Sequence, residues 1–380
     1  MGRHAPWLLV LALVMAMCGG ERRGFKVPAL ERAPRIVPKW QQPLQNNPII
    51  TYRPRETAAP VIDRAQNAVI VGSNAGVLHS FDLESGALRW RQQVSGPIWA
   101  PALVAAGTVY VGTADGTVEA FEARTGEPAW DEPYRTTGAV WAAPAFAGGR
   151  LFVTFDTNEL HALDAEVGTL LWRRSREHLT AFTLTGHAAP LVWRDTVITG
   201  FSDGMLTAFR LEDGSPTWHQ NLSGELSRFV DADGDPVIDD GVLYATSNAG
   251  GVFALDPDNG EILWNHRVSG ASSPTVTARH VYVTLSDARE LRSLSRDDGR
   301  LVWQSGVHRG TPSTPVFLNA PDGGYLLFSN TYSVLLVSGG DGRHLERLTS
   351  AEGFTARPTL APGMVLQLSN RGHLHAWEIY

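Results

Sequence analysis

Three groups of side chains in this 380-residue sequence have types and spacings that could do chemistry. Asp231-Ala232-Asp233-Gly234-Asp235 sets three carboxylates at alternate positions, like the opening of a calcium loop. The sixth position, however, is Pro236 where glycine must turn the chain, and the twelfth is Val242 where a bidentate glutamate must close the shell. The stretch is therefore read as a loop leading into a new structural unit. His373 and His375 stand two apart, so on a strand they share a face and could hold a metal. No third ligand accompanies them, and surface decoration is expected. Cys18 is the only thiol, which excludes an internal disulfide, a CxxC zinc or redox site and a CxxCH haem attachment. A G-x-S-x-G elbow, a Walker loop and an HExxH helix are also missing. No catalytic residue, metal site or cofactor is assigned, and an enzyme is not expected.

The surroundings of Cys18 point to targeting. A basic start (Arg3, His4) precedes an apolar run from Trp7 to Met17. That run is too short to span a bilayer but suits the core of a signal peptide. Residues 1–18 read as a lipoprotein-type signal, with Cys18 as the lipid-bearing residue that would begin the mature chain. The box Met15-Ala16-Met17-Cys18 departs from the usual pattern in its bulky Met17, and an ordinary secretory signal is the alternative. Gly19 follows where an aspartate would retain some lipoproteins in the inner membrane. Residues 19–35 mix charge with proline and form a flexible tether. The expected location is the periplasmic face of the outer membrane, or the soluble periplasm if the lipid is absent. With 32 Lys plus Arg against 39 Asp plus Glu, the net charge of −7 offers no reason to bind nucleic acid. At 43% hydrophobic residues, there is ample material for a large core.

What must position these groups is a repeat. An eleven-residue phrase ending in tryptophan recurs: SFDLESGALRW at 80–90, AFEARTGEPAW at 120–130 and ALDAEVGTLLW at 162–172. It returns as AFRLEDGSPTW at 208–218, ALDPDNGEILW at 254–264 and SLSRDDGRLVW at 293–303. A degenerate seventh at 336–346, LVSGGDGRHLE, keeps the glycine and loses the tryptophan. The period of 39 to 46 residues is that of a four-stranded propeller blade. Each unit opens on an X-Pro step, continues through a β-branched run and a tight turn, and uses Asp-x-x-x-Gly to turn into an outer strand. The last unit stops one strand short at Tyr380, while Pro38-Lys39-Trp40-Gln41 resembles an outer strand at the other end of the chain. Outer strands at 40, 90, 130, 172, 218, 264, 303 and 346 then count eight blades. The fold expected over residues 36–380 is an all-β, eight-bladed β-propeller of antiparallel four-stranded blades, its last blade completed by an N-terminal strand.

The A-x-D-x-x-T-G-x-x-W phrase resembles the tryptophan-docking repeat of quinoproteins, across nearly the whole mature chain. Some of those proteins carry pyrroloquinoline quinone on the axis, stacked on a disulfide between adjacent cysteines that this sequence cannot make. The combination of lipoprotein-like signal, tether and self-closing propeller further resembles the BamB family, lipoproteins of the machine that folds β-barrels into the bacterial outer membrane. The likeness is best over Ser227 to Trp264 and at Gly353-Phe354-Thr355-Ala356-Arg357-Pro358. The resemblance implies a non-catalytic scaffold that docks on the POTRA domains of the barrel-assembly protein through two neighbouring loops. One is the family's L-x-L-R-G loop, here Phe182-Thr183-Leu184-Thr185-Gly186, in which Thr185 stands for the arginine. The other is the D-x-D loop, here Asp231 and Asp233. It also implies contact with unfolded outer-membrane proteins through exposed strand edges. A small periplasmic quinoprotein oxidoreductase and a recognition module of another envelope complex are the alternatives.

Overall fold

The computed structural model describes residues 34–45, 55–176, 188–223, 231–321 and 323–380. Among them there are eight four-stranded antiparallel sheets and no helix. Seven sheets are consecutive in sequence, each running strand by strand from the axis outward; the first comprises Val61–Asp63, Ala68–Gly72, Val77–Asp82 and Leu88–Gln93. The eighth combines Thr359–Ala361, Met364–Leu368 and His373–Ile379 with Ile36–Pro43 from the start of the chain. Ile36 pairs with Ile379 and Pro43 with His373, so the first strand closes the ring as expected. The protein is an eight-bladed β-propeller.

Within each blade the second strand is mainly apolar and covered along nearly its whole length, as in Ala68–Gly72 and Tyr325–Asn330. The outer strand alternates instead, and in Leu88–Gln93 only Trp90 is buried. Strands with sheets on both faces read as continuous apolar runs, whereas the rim alternates because one face meets water. Leu-x-Trp at the start of the outer strand introduces a bulge: Ser80 faces Trp90 and Phe81 faces Leu88, leaving Arg89 as the extra residue. The same shift recurs after Ala162, Ala208, Ala254, Ser293 and Leu336. A bulge re-aims side chains, and here it turns tryptophan toward the neighbouring blade.

There the indole does two things. Its Nε1–H donates to a backbone carbonyl in the next blade: Trp90 to Ala123 at 2.9 Å, Trp130 to Ala165 at 3.0 Å, Trp264 to Arg296 at 2.9 Å. Trp40, Trp172, Trp218 and Trp303 donate likewise to Leu83, Leu211, Pro257 and Gly339. Its ring face lies against the glycine of the turn between the third and outer strands of the next blade. A Cβ on Gly260, at φ +74°, would stand 2.5 Å from the Trp218 ring. Glycine is needed there twice over, for its left-handed backbone and for the missing side chain.

The second blade departs from the expectation. Its outer strand, placed at Trp130 from the sequence, is the two-residue Tyr134–Arg135. Trp130 docks normally, but Val118 pairs with Tyr134, so the chain spends two more residues between docking indole and ladder than the first blade does. Pro128 and Pro133 flank this stretch, and neither has an N–H to give the ladder.

Candidate functional site

The loops that lead from one blade's rim to the next blade's axis gather around X-Pro steps. Asp231 begins one such loop and is 1% exposed. Its carbonyl accepts the Asn248 N–H at 2.9 Å, while Ala232 N–H reaches back to Phe201 at 3.1 Å. Gly200 makes that approach possible, since a Cβ there would collide with Ala232. Asp233 is half-buried, and among the described residues no salt bridge reaches it. Burial, with Asp231 and Asp235 alongside, pushes its carboxyl up to about 6. Asp235 is tied in more firmly. Its N–H donates to Ser273 Oγ at 2.9 Å and its carboxylate accepts the Ala189 N–H at 2.8 Å.

That last bond matters for the pairing of loops anticipated from the sequence. Ala189 lies two residues beyond the segment 177–187, so the acidic loop is fastened to the chain just after the stretch that holds Phe182, Leu184 and Thr185. Those three residues, and Cys18, lie outside the described residues.

Two features at the axis were not anticipated. Asp235 and Arg357 occupy the same place in their repeats, immediately before proline, and their side chains approach to 3.9 Å although they belong to the fifth and eighth blades. In the other six blades this place holds Ala, Ser or Thr. Aligning the X-Pro steps would have singled out the two charges; their meeting needs the ring. They share a cavity of about 310 Å³ with Trp99 and Trp141, whose rings are 4.3 Å apart at 39°. Trp99 Nε1–H donates to Asn74 at 2.7 Å, while Trp141 Nε1 and Thr355 Oγ1 are buried without a partner among the described residues. The indoles close on one another at an angle and no cysteine pair faces them. These residues do not fit a flat quinone held between an indole and a disulfide.

The histidine pair is not surface decoration. His373 Nδ1 lies 3.0 Å and His375 Nε2 3.9 Å from one Glu352 oxygen, which also accepts from Ser369 Oγ at 2.6 Å. Both rings are half-buried beneath the closing strand, where Gln41 faces His375. Burial pushes His375 below its ordinary value; for Glu352 burial is outweighed by the Ser369 and His373 hydrogen bonds, which hold it below its own. Sequence spacing missed Glu352 because it lies a blade edge away, on the loop before the X-Pro step. Among the described residues no group of three or more His, Cys, Asp or Glu side chains could hold a metal.

Eight blades, seven of them docked on the next by an indole-to-carbonyl bond, with polar groups collected at loops around the axis, define a propeller of the tryptophan-docking, quinoprotein type. The family described as outer membrane protein assembly factor BamB matches residues 38–138 and 133–305. The chain belongs to that family. It is 27% identical to the outer membrane protein assembly factor BamB of Yersinia pestis over 81% of this chain and 68% of that one. With the Kangiella koreensis factor of the same name the identity is 39%, over 64% of this chain and 63% of the other. Among solved structures, BamB from Moraxella catarrhalis superposes with a TM-score of 0.77 at 20% identity, covering 90% of this chain and all of that one. A quinohemoprotein alcohol dehydrogenase from Pseudomonas putida shares the fold with a TM-score of 0.69 at 14% identity, covering 90% of this chain and 76% of that enzyme.

Proposed function

We propose that this protein is a non-catalytic scaffold of the machinery that assembles outer-membrane β-barrels. Anchored through Cys18 at the periplasmic face of the outer membrane, it docks on the POTRA domains of the barrel-assembly protein through the acidic loop and the segment beside it. Family membership supports the role, and one observation supports the site: Asp233 is a half-buried carboxylate with no salt-bridge partner among the described residues. A carboxylate in that position gains from a partner's Lys or Arg, because docking supplies an opposite charge to offset its burial beside Asp231 and Asp235. Phe182 and Leu184 would add the apolar contact and Thr185 a polar one in place of the family's arginine, whose directional pairing a threonine cannot reproduce. Rim strands with unpaired outer edges could receive extended segments of unfolded barrel proteins as an added strand.

The test is recovery of the barrel-assembly protein from gently solubilised membranes by the tagged, full-length chain and by Asp233→Asn. The variant is expected to fold at least as well as wild type and to bind POTRA domains roughly tenfold more weakly, as for loss of one desolvated interfacial charge. Asp231 is buried, so Asn rather than Lys is the substitution to use there. Equal recovery by wild type and Asp233→Asn would remove the acidic loop from the interface. Absence of any barrel protein with wild type would remove the role itself.

A further inference from the structure

Each blade is entered through an X-Pro step, and the residue before the proline is small and uncharged in six of the eight blades. Asp235 and Arg357 are the exceptions, one acid and one base, and both line the axial cavity of about 310 Å³. Asp235 Oδ1 is taken by the Ala189 N–H at 2.8 Å, while its Oδ2 stands 3.9 Å from Arg357 Nη1. That separation is beyond hydrogen-bond reach, and the Arg357 side chain makes no hydrogen bond among the described residues. A closed guanidinium–carboxylate pair would sit nearly an ångström closer, with two parallel bonds. This pair is instead held open beside a cavity, with donors and an acceptor to spare.

The facing wall is aromatic and firmly held. Trp99 and Trp141 lie with ring centres 4.3 Å apart, and both line the cavity. Trp99 Nε1–H donates to Asn74 Oδ1 at 2.7 Å, and the Trp99 carbonyl accepts from Thr57 Oγ1 at 2.8 Å. Asn74 is fixed in turn by the buried Glu56 carboxylate, which accepts its backbone N–H at 2.9 Å and its side-chain amide at 3.2 Å. Trp141 Nε1 and Thr355 Oγ1, on two more lining residues, have no acceptor. A buried donor left unmet is costly, so the site is richer in N–H and O–H groups than in partners for them.

We infer that the axial cavity binds a free α-amino acid with an apolar side chain, its carboxylate on Arg357, its ammonium on Asp235 and its side chain against the two indoles. A ligand of one sign gains from one of these charges and is repelled by the other. An α-amino acid carries both signs on a single carbon, at a spacing comparable with the 3.9 Å between Asp235 and Arg357. Its carboxylate has acceptor sites for several donors, which suits the guanidinium fork and the spare groups of Trp141 and Thr355. Its ammonium only donates, and Asp235 Oδ2 is the acceptor left for it. The indoles supply apolar area of fixed shape, and the volume is that of a small-ligand site.

The site is tested by titrating the full-length chain in detergent with L-phenylalanine in a calorimeter. N-acetyl-L-phenylalanine keeps the carboxylate and loses the ammonium, and L-phenylalaninamide does the reverse. Each is expected to bind roughly tenfold more weakly than the amino acid, and L-alanine, without the ring, similarly so. Arg357→Gln should weaken phenylalanine roughly tenfold and leave phenylalaninamide unchanged, a split that general damage to the fold would not produce. Three results would each overturn the proposal: no binding of phenylalanine at millimolar concentration, equal binding of either blocked analogue, or undiminished binding by Arg357→Gln. Tighter binding of N-acetylphenylalanine than of phenylalanine would also overturn it and assign the cavity to a carboxylate alone.

Discussion

Asp233 shows how a single side chain can be at odds with its own fold. Burial, with Asp231 and Asp235 alongside, moves its carboxyl from 3.8 to about 6, so the folded protein holds that proton more tightly than the unfolded chain does. Stability then falls as pH rises through the window from about 4 to about 6, and the loss is complete above it. Asp233→Asn should therefore raise the stability of the isolated chain at pH 7.5 by up to about 3 kcal/mol and leave it unchanged near pH 3. Thermal unfolding at the two pH values checks this, and a variant less stable than wild type at pH 7.5 would refute the assigned strain. Gly260 is a residue of the opposite kind, with no freedom to change. Its φ of +74° and the Trp218 ring 2.5 Å from any Cβ both resist substitution. Gly260→Ala should cost about 2–4 kcal/mol, measured by denaturant unfolding.

At the scale of the element, the tryptophan that is missing is as informative as those present. Each docking indole meets the glycine of the turn between the third and outer strands of the next blade. In the eighth blade no such turn joins the third strand, His373–Ile379, to the outer one, because the outer strand paired with it is Ile36–Pro43. Glu346 occupies the seventh indole's place for that reason, and the Glu346→Trp variant should gain no stability, within about 0.5 kcal/mol of wild type. The closing strand takes over the locking role by pairing along its length. Removing residues 1–45 would leave His373–Ile379 as an unpaired edge beside half-buried histidines. Such a chain should unfold at a markedly lower temperature and self-associate on sizing columns. A monomer with wild-type stability would show that the ring does not need the clasp.

For the whole molecule, stability and docking are linked through the same carboxylate. If a partner cation settles on Asp233, docking restores its ordinary ionisation, and POTRA binding should weaken as pH falls from 7 to 5 while the propeller itself becomes more stable. Affinity measured across that range checks the sign, and a pH-independent affinity would place the interface elsewhere. The ring also brings together what the chain keeps apart. Asp235 and Arg357 meet near the axis from blades three steps apart.

The blade count, the closure of the ring by residues near Trp40 and the docking role of tryptophan were legible in the sequence alone. All three rest on local, periodic signals: turn residues at fixed offsets, β-branched runs, and an unfinished last repeat matched by a spare strand. The bulged outer strand of the second blade could be read only in part, because Pro128 and Pro133 announce a break without saying where pairing resumes. The pairing of His373 and His375 with Glu352, the burial of Asp231 and the strain on Asp233 were not legible. Desolvation and contact depend on groups brought together from different blades, and no spacing along the chain encodes which blade faces which. Tertiary structure alone decides them.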